Sequence, residues 1–141
     1  MTQTTGNAKQ IAQTIALMTY NIHSFMQFTV RLEQLKEDMG SHHWDIITFT
    51  ETWREETNEV FTTENGHIWL GSGGTKGRNG VGILLHKRWK HIQFQAINDR
   101  IAAVVVDFAG ALFQILVVYM PRPDMTICMW MLFLQFWASW S

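Results

Sequence analysis

The segment WDIITFTETWREE, Trp44 to Glu56, contains a short apolar and β-branched run that ends on a carboxylate. The run from Ile46 to Thr50 has the length and composition of a strand that is buried on both faces. Glu51 follows it directly. Ligands of α/β folds bind at the carboxyl ends of strands, and a carboxylate oxygen there suits Mg²⁺. The alternative interpretation is a loop glutamate that pairs with Arg54.

The residues before this segment predict a strand–helix–strand unit. Ile15 to Ile22 has the length of a strand, and Asp45 to Thr50 is the second strand. The helix between them carries apolar residues on one face, at Phe28, Leu32, Leu35 and Met39. Gly40 fits the end of this helix. Because the two strands of such a unit are parallel, their carboxyl ends should be neighbours, which places Asn21 beside Glu51.

The pattern after Glu51 changes to strands that are joined by short turns. The predicted strands are His67–Leu70, Val81–His86, His91–Ala96, Ile101–Phe108 and Leu112–Tyr119. Neither of the two prolines precedes Pro121, so none of these strands is interrupted. The chain is therefore expected to be a mixed α/β domain with a mostly antiparallel sheet and one flanking helix.

Composition limits the classes of function. The 141 residues suffice for one domain, and the net charge of −1 argues against strong non-specific binding of nucleic acid. Cys128 is the single cysteine, which excludes an internal disulfide and favours a reducing compartment. Residues 1–14 lack the pattern of a signal peptide and are expected to be a disordered lead-in. We therefore expect an intracellular protein of the nucleus or cytoplasm.

The last residues, Met125 to Ser141, carry no charge and contain three of the seven tryptophans. This tail is short for a membrane span, which needs roughly 20 apolar residues. It shows neither a helical nor a strand period. We expect a domain over residues 15–124, a tail over residues 125–141 that is not part of it, and no association with a membrane.

Several other motifs favour structural interpretations. The glycine run GSGGTKGRNGVG, Gly71 to Gly82, contains no phosphate-binding motif in register and predicts a flexible hairpin loop. The six histidines show no metal-ligand spacing. The basic cluster His86 to His91 is compatible with DNA contact, although a solvated turn is the better interpretation.

Two further polar residues end predicted strands. The amide of Asn21, in TYNIHS, can orient a carboxylate or bind a phosphate oxygen, or can simply belong to a turn. The phenol of Tyr119, in VVYMP, can donate to a phosphoryl oxygen. Taken alone, Tyr119 is better interpreted as a tyrosine at the edge of the core.

Five segments in order resemble the first half of the endonuclease/exonuclease/phosphatase superfamily: TYNIHS, WDIITFTETW, GRNGVGILLHKRW, NDRIAAVVV and VVYMP. The likeness is strongest with endonuclease domains of LINE-type retrotransposons and craniofacial-development-protein-like sequences, over about Ile15 to Asp124. It implies the N-terminal half of a two-sheet α/β sandwich that cleaves phosphodiesters of nucleic acid with Mg²⁺. By this resemblance Glu51 and Asn21 are metal-site residues, and the Tyr119 hydroxyl approaches the phosphate.

The family's second half supplies a GDxN motif and an SDH-like motif, which carry the catalytic histidine and an Asp/Asn pair. After Tyr119 this chain has no histidine, no asparagine and one acid, Asp124. General-base catalysis and positioning each contribute orders of magnitude in rate. The resemblance therefore implies a truncated, catalytically inactive endonuclease-type domain of retroelement origin.

Two alternatives remain open: a non-enzymatic interaction module, and a half-enzyme that another chain completes. Without the family's second half, one face of the sheet is expected to be uncovered. Bare strands of this kind favour aggregation or pairing with another chain.

Overall fold

The computed structural model describes residues 14–108, 110–120 and 129–138. Within these residues the chain forms one helix, α1 (Phe28–Met39), and nine strands. The strands are β1 (Leu17–Asn21), β2 (Ile46–Thr50), β3 (Glu59–Thr62), β4 (Ile68–Ser72), β5 (Val81–Leu85), β6 (Lys90–Asn98), β7 (Ile101–Phe108), β8 (Ala111–Met120) and β9 (Met129–Ala138). The predicted class, a mixed α/β domain with mostly antiparallel pairing and one helix, is confirmed.

The first sheet has the strand order β1-β2-β5-β4-β3, and only β1 and β2 run parallel. All five residues of β2 are buried, as expected for a strand with a layer on each side. Ile47 and Phe49 face α1, where they pack with Leu32 and Leu35. Ile46 faces the other way, into the second layer.

The second layer is a four-stranded antiparallel sheet of order β6-β7-β8-β9. Alternate residues of β7 and β8 point towards the first sheet and form a common core with it. The inward-facing residues are Ala102, Val104, Val106, Ile115, Val117 and Tyr119. The expectation of an uncovered sheet face is therefore wrong, because the chain's own later strands cover it. Strand periodicity predicts these strands but does not assign them to a sheet.

Two strands were not predicted. Strand β3 is only four residues long, and its alternation of half-buried and exposed positions is too short to give a period. Strand β9 pairs with β8 along its whole length, from Met120 opposite Met129 to Ala111 opposite Ala138. Its nearly continuous apolar sequence lacks the alternation that marks a half-buried strand.

Some predictions fall outside the described residues. These are the lead-in up to residue 13, the boundary between residues 124 and 125, and Cys128. In the part of the chain that the structure describes, no helix is long and apolar enough to cross a membrane.

The basic cluster after β5 has a structural role. The carboxylate of Asp45 is 1% exposed at the start of β2. It accepts hydrogen bonds from the Arg88 guanidinium at 2.8 and 3.0 Å, from the Trp89 indole at 2.8 Å and from the Ala16 N–H at 2.7 Å. Burial raises the pKa of Asp45, but these bonds and the charge of Arg88 outweigh it and lower the pKa. The turn is thus anchored to the first sheet.

His67 lies beside this turn and is buried. Its Nδ1 accepts a hydrogen bond of 3.1 Å from the N–H of Lys87, and its ring centroid is 4.6 Å from that of His86. Burial lowers the pKa of His67 to about 4, helped by the nearby charges of His86, Lys36, Lys87 and Arg88. His67 is therefore neutral in the folded protein at neutral pH.

We expect the stability of the fold to decrease as pH falls from 6.5 towards 4. In this window the unfolded chain binds a proton at His67 that the folded chain does not, so protonation favours unfolding. The expected loss is about 3 kcal/mol, since each unit of pKa difference corresponds to roughly 1.4 kcal/mol. Melting temperatures across this pH range test the prediction. His67→Asn, whose side-chain oxygen can accept the same N–H, should flatten the dependence, and equal slopes in both proteins would contradict it.

Candidate functional site

The carboxyl ends of β1 and β2 lie side by side at one edge of the first sheet. Asn21 is the register partner of Thr50, and Glu51 follows immediately. Three backbone hydrogen bonds extend the contact beyond the strands, from the N–H groups of Ile22, Ser24 and Phe25 to the carbonyls of Thr50, Glu51 and Thr52. The structure thus brings Asn21 and Glu51 together, as the parallel unit predicts.

The loops at this edge hold unusual backbone conformations. Among the described residues, five non-glycine residues have positive φ, and all five lie in the three loops that meet here. They are His23 (52°), Ser24 (117°), Glu51 (56°), Trp53 (60°) and Asn79 (51°). Such conformations cost of order 1–3 kcal/mol each and concentrate at functional sites. The clustering marks this edge as the candidate site.

Glu51 is mostly buried, with its side chain 14% exposed, and its Oε2 lies 3.4 Å from Nδ1 of His23. The alternative interpretation pairs Glu51 with Arg54. Arg54 instead forms a two-pronged ion pair with Glu59, at 2.7 and 2.6 Å, and donates to the carbonyl of Phe25 at 2.8 Å. His23 was not singled out from the sequence, although it lies two residues after Asn21 in TYNIHS.

Two buried oxygens at this edge have no hydrogen-bond partner among the described residues: Oδ1 of Asn21 and Oγ1 of Thr50. Their residues are register partners, so both side chains lie on the same face of the sheet. An unsatisfied buried polar group costs about 1–3 kcal/mol, and such groups are rare in folded proteins. Thr50 directly precedes Glu51, and Asn21 is paired with Thr50, so two unsatisfied oxygens at this strand end point to a ligand here.

Tyr119 reaches the same end of the molecule from the second sheet. Its N–H donates to the carbonyl of Arg100 at 2.8 Å, in the turn between β6 and β7. The adjacent Asp99 carbonyl accepts the N–H of Gly80, immediately before β5, at 2.8 Å. The residue is 4% exposed and belongs to the core between the sheets, as the core interpretation predicts. A contact of its hydroxyl with phosphate stays a prediction.

The glycine run contains the hairpin loop, residues 73–80, between β4 and β5, so the hairpin is where the sequence predicts it. Its glycines allow close packing against the loop after β2, because a Cβ on Gly73 would lie 2.0 Å from the carbonyl oxygen of Arg54. The side chain of Asn79 joins the same loop to the turn between β6 and β7, because it donates to Asp99 at 3.0 Å. Asn79 and Asp99 were not assigned a role from the sequence, although both lie in the segments GRNGVG and NDR.

A groove of about 220 Å³ adjoins the loop that carries Glu51. It is lined by Met26, Trp53, Arg54, Glu55, Glu56 and Lys76. The backbone of Trp53 is fixed, since its N–H donates to Asn79 at 2.9 Å and its carbonyl accepts from Gly77 at 3.1 Å. A half-buried indole of this kind can stack on a nucleobase.

Among residues 14–108, 110–120 and 129–138, no three histidine, cysteine, aspartate or glutamate side chains are close enough to share a metal ion. A cation at the strand ends would have one carboxylate, Glu51, and neutral oxygens such as Asn21 Oδ1 as donors. Mg²⁺ fits such a set, because it keeps several of its waters and needs only one or two protein carboxylates.

The sequence model described as Endonuclease/Exonuclease/phosphatase family matches residues 18–137 of the chain. The matched region contains Asn21, Glu51 and Tyr119 and includes β9. No curated protein matches the chain.

Proposed function

The chain belongs to the endonuclease/exonuclease/phosphatase family, and from this premise we propose that its strand-end site binds Mg²⁺ together with a phosphodiester of nucleic acid. The observation that carries the proposal is the buried Oδ1 of Asn21, which has no partner among the described residues, in the register partner of the residue that precedes Glu51. A carbonyl oxygen accepts only, so its natural partner is a cation or a hydrogen-bond donor.

In this proposal Glu51 and Asn21 hold the cation. When bound, Mg²⁺ polarises the phosphate and neutralises the charge that develops on the departing oxygen. The backbone bonds between the two loops fix Glu51 relative to Asn21. Tyr119 is the candidate for contact with the phosphate, because its strand ends at the same edge. We propose that the groove at Trp53, which adjoins the loop carrying Glu51, accommodates a neighbouring nucleotide.

We further propose that the 141-residue chain binds this substrate but does not cleave it efficiently. The support is chemical: no histidine and no asparagine follow Tyr119, and a GDxN motif is absent from the sequence. An origin from a retroelement endonuclease is supported by the five segments that resemble LINE-type domains.

Substitution of Glu51 tests the cation site. We expect Glu51→Gln to lower the affinity for Mn²⁺, used as a spectroscopic substitute for Mg²⁺, by about 100-fold, since loss of even an outer-shell partner of a metal ligand costs about 10–100-fold. The affinity is measured by titration, with electron paramagnetic resonance reporting the free ion. Glu55→Gln is the matched control, because Glu55 is an exposed glutamate of the same loop. Equal Mn²⁺ affinity of the Glu51→Gln protein and the unchanged protein would contradict the proposal.

A plasmid-nicking assay with Mg²⁺ separates binding from cleavage in the same proteins. We expect no nicking by the unchanged chain. Nicking that is lost in Glu51→Gln and kept in Glu55→Gln would contradict the proposed inactivity and establish the chain as an enzyme.

A further inference from the structure

The proposed function does not explain the buried hydroxyl of Thr50. Thr50 is 5% exposed, and its hydroxyl has no hydrogen-bond partner among the described residues. Thr48, two residues earlier on the same strand, is 4% exposed, but its hydroxyl donates to the carbonyl of Met18 at 3.5 Å. A hydroxyl buried without a partner destabilises a fold. A valine would fill the same space in β2 without this penalty, so the hydroxyl requires another explanation.

The direction of the Thr50 side chain follows from the pleat of β2. Ile46 faces the second sheet, whereas Ile47 and Phe49 face the helix. By alternation Thr50 faces the second sheet, and so does its register partner Asn21. The two buried oxygens therefore lie on one side of the sheet, at the strand ends from which Glu51 continues.

The hydrogen-bonding capacity of the two oxygens indicates which ligand can satisfy both. Asn21 Oδ1 is an acceptor only, while the Thr50 hydroxyl can accept or donate. A phosphate oxygen is also an acceptor and can satisfy the hydroxyl but not Asn21. Water bound to a divalent cation donates to either oxygen, and Mg²⁺ retains several such waters in protein sites.

We propose that Thr50 is a positioning residue of the cation site, whose hydroxyl accepts a hydrogen bond from water bound to the cation beside Glu51 and Asn21. This inference rests on the proposed function. It explains why a threonine, and not an apolar residue, occupies this buried position of β2. The hydroxyl stabilises the hydrated cation at the expense of the stability of the cation-free protein.

Isosteric replacement tests this role in the full chain, with Mn²⁺ and without nucleic acid. We expect Thr50→Val to lower the Mn²⁺ affinity by about 10-fold, as loss of a supporting hydrogen bond at a metal site does. Thr50→Ser, which keeps the hydroxyl, should remain near the affinity of the unchanged chain. Thr48→Val is the matched control, on the same strand and face, and should leave Mn²⁺ binding unchanged. In the absence of metal, Thr50→Val should melt about 3 °C higher.

Each other outcome overturns the proposal. If Thr50→Val melts higher and binds Mn²⁺ with unchanged affinity while Glu51→Gln loses it, the hydroxyl is only an unsatisfied group and the proposed function stands. If the unchanged chain binds no Mn²⁺, the proposed function fails and this inference fails with it. Thr50→Ala serves as a second variant without the hydroxyl, and affinity equal to that of the unchanged chain in this protein would also refute the role.

Discussion

Asp45→Asn is expected to lower the free energy of unfolding by about 3 kcal/mol, because removal of one partner of a buried ion pair leaves the other groups uncompensated. Asp45 is 1% exposed and accepts hydrogen bonds from Arg88, Trp89 and Ala16. An asparagine keeps the shape but loses the charge, and its NH₂ group would face donors. These bonds join three separate segments of the chain, so their loss loosens the start of β2.

Thermal unfolding followed by circular dichroism measures this effect, and we expect the melting temperature to fall by about 10 °C. Asp38→Asn on the exposed side of α1 is the control. The lowered pKa of Asp45 adds a second signature, since its stabilisation is present above 3.8 and is lost as pH falls below that value. Equal melting temperatures of Asp45→Asn and the control would refute the role of this carboxylate.

The sequence suffices to bring Asn21 and Glu51 together because the relevant rule is local. A strand, a helix and a second strand that follow one another closely pack as a parallel pair, and parallel strands end at the same edge. The strand–helix–strand unit therefore pairs Asn21 with Thr50, next to Glu51, independently of the strands that follow. The buried β2 and the helix stop at Gly40 follow from equally local patterns.

The ion pairs could not be predicted in this way. Arg54 is three residues from Glu51, but its partner is Glu59, while Glu51 contacts His23 across the two loops. Positive φ at Glu51 turns the chain out of the regular strand path, so distance along the sequence no longer indicates side-chain direction. Arg88 similarly reaches Asp45 across 43 residues, which no periodicity encodes.

The division of the strands between two sheets could not be predicted from strand periodicity either. Strands β2 and β5 are buried at every position and the end of β8 alternates, but neither pattern indicates which sheet a strand joins. The hydroxyl of Thr50 illustrates the limit at the site itself. A threonine in a buried strand is common in sequence. Thr50 is distinguished from Thr48 because its oxygen has no partner in the described part of the chain, whereas that of Thr48 is bonded.

Gly80→Ala should destabilise the protein by about 3 kcal/mol, through left-handed backbone strain and steric overlap together. Gly80 has a φ of 92°, and an added Cβ would lie 2.2 Å from Oγ1 of Thr52. Thr52 is 1% exposed, and its N–H donates to the carbonyl of Gly80 at 3.1 Å, so it cannot move aside without breaking this contact. Because Thr52 follows Glu51, the substitution should also weaken Mn²⁺ binding.

Gly77→Ala separates the backbone strain from the steric overlap. Gly77 belongs to the same loop and has a similar φ of 77°, but an added Cβ would meet nothing within 4 Å. We expect this variant to lose only about 1–2 kcal/mol, the cost of the backbone conformation, and to bind Mn²⁺ normally. The difference in melting temperature between the two variants then measures the close packing of the hairpin loop on the strand end that carries Glu51. If Gly80→Ala melts and binds Mn²⁺ like Gly77→Ala, this packing does not hold the site in place.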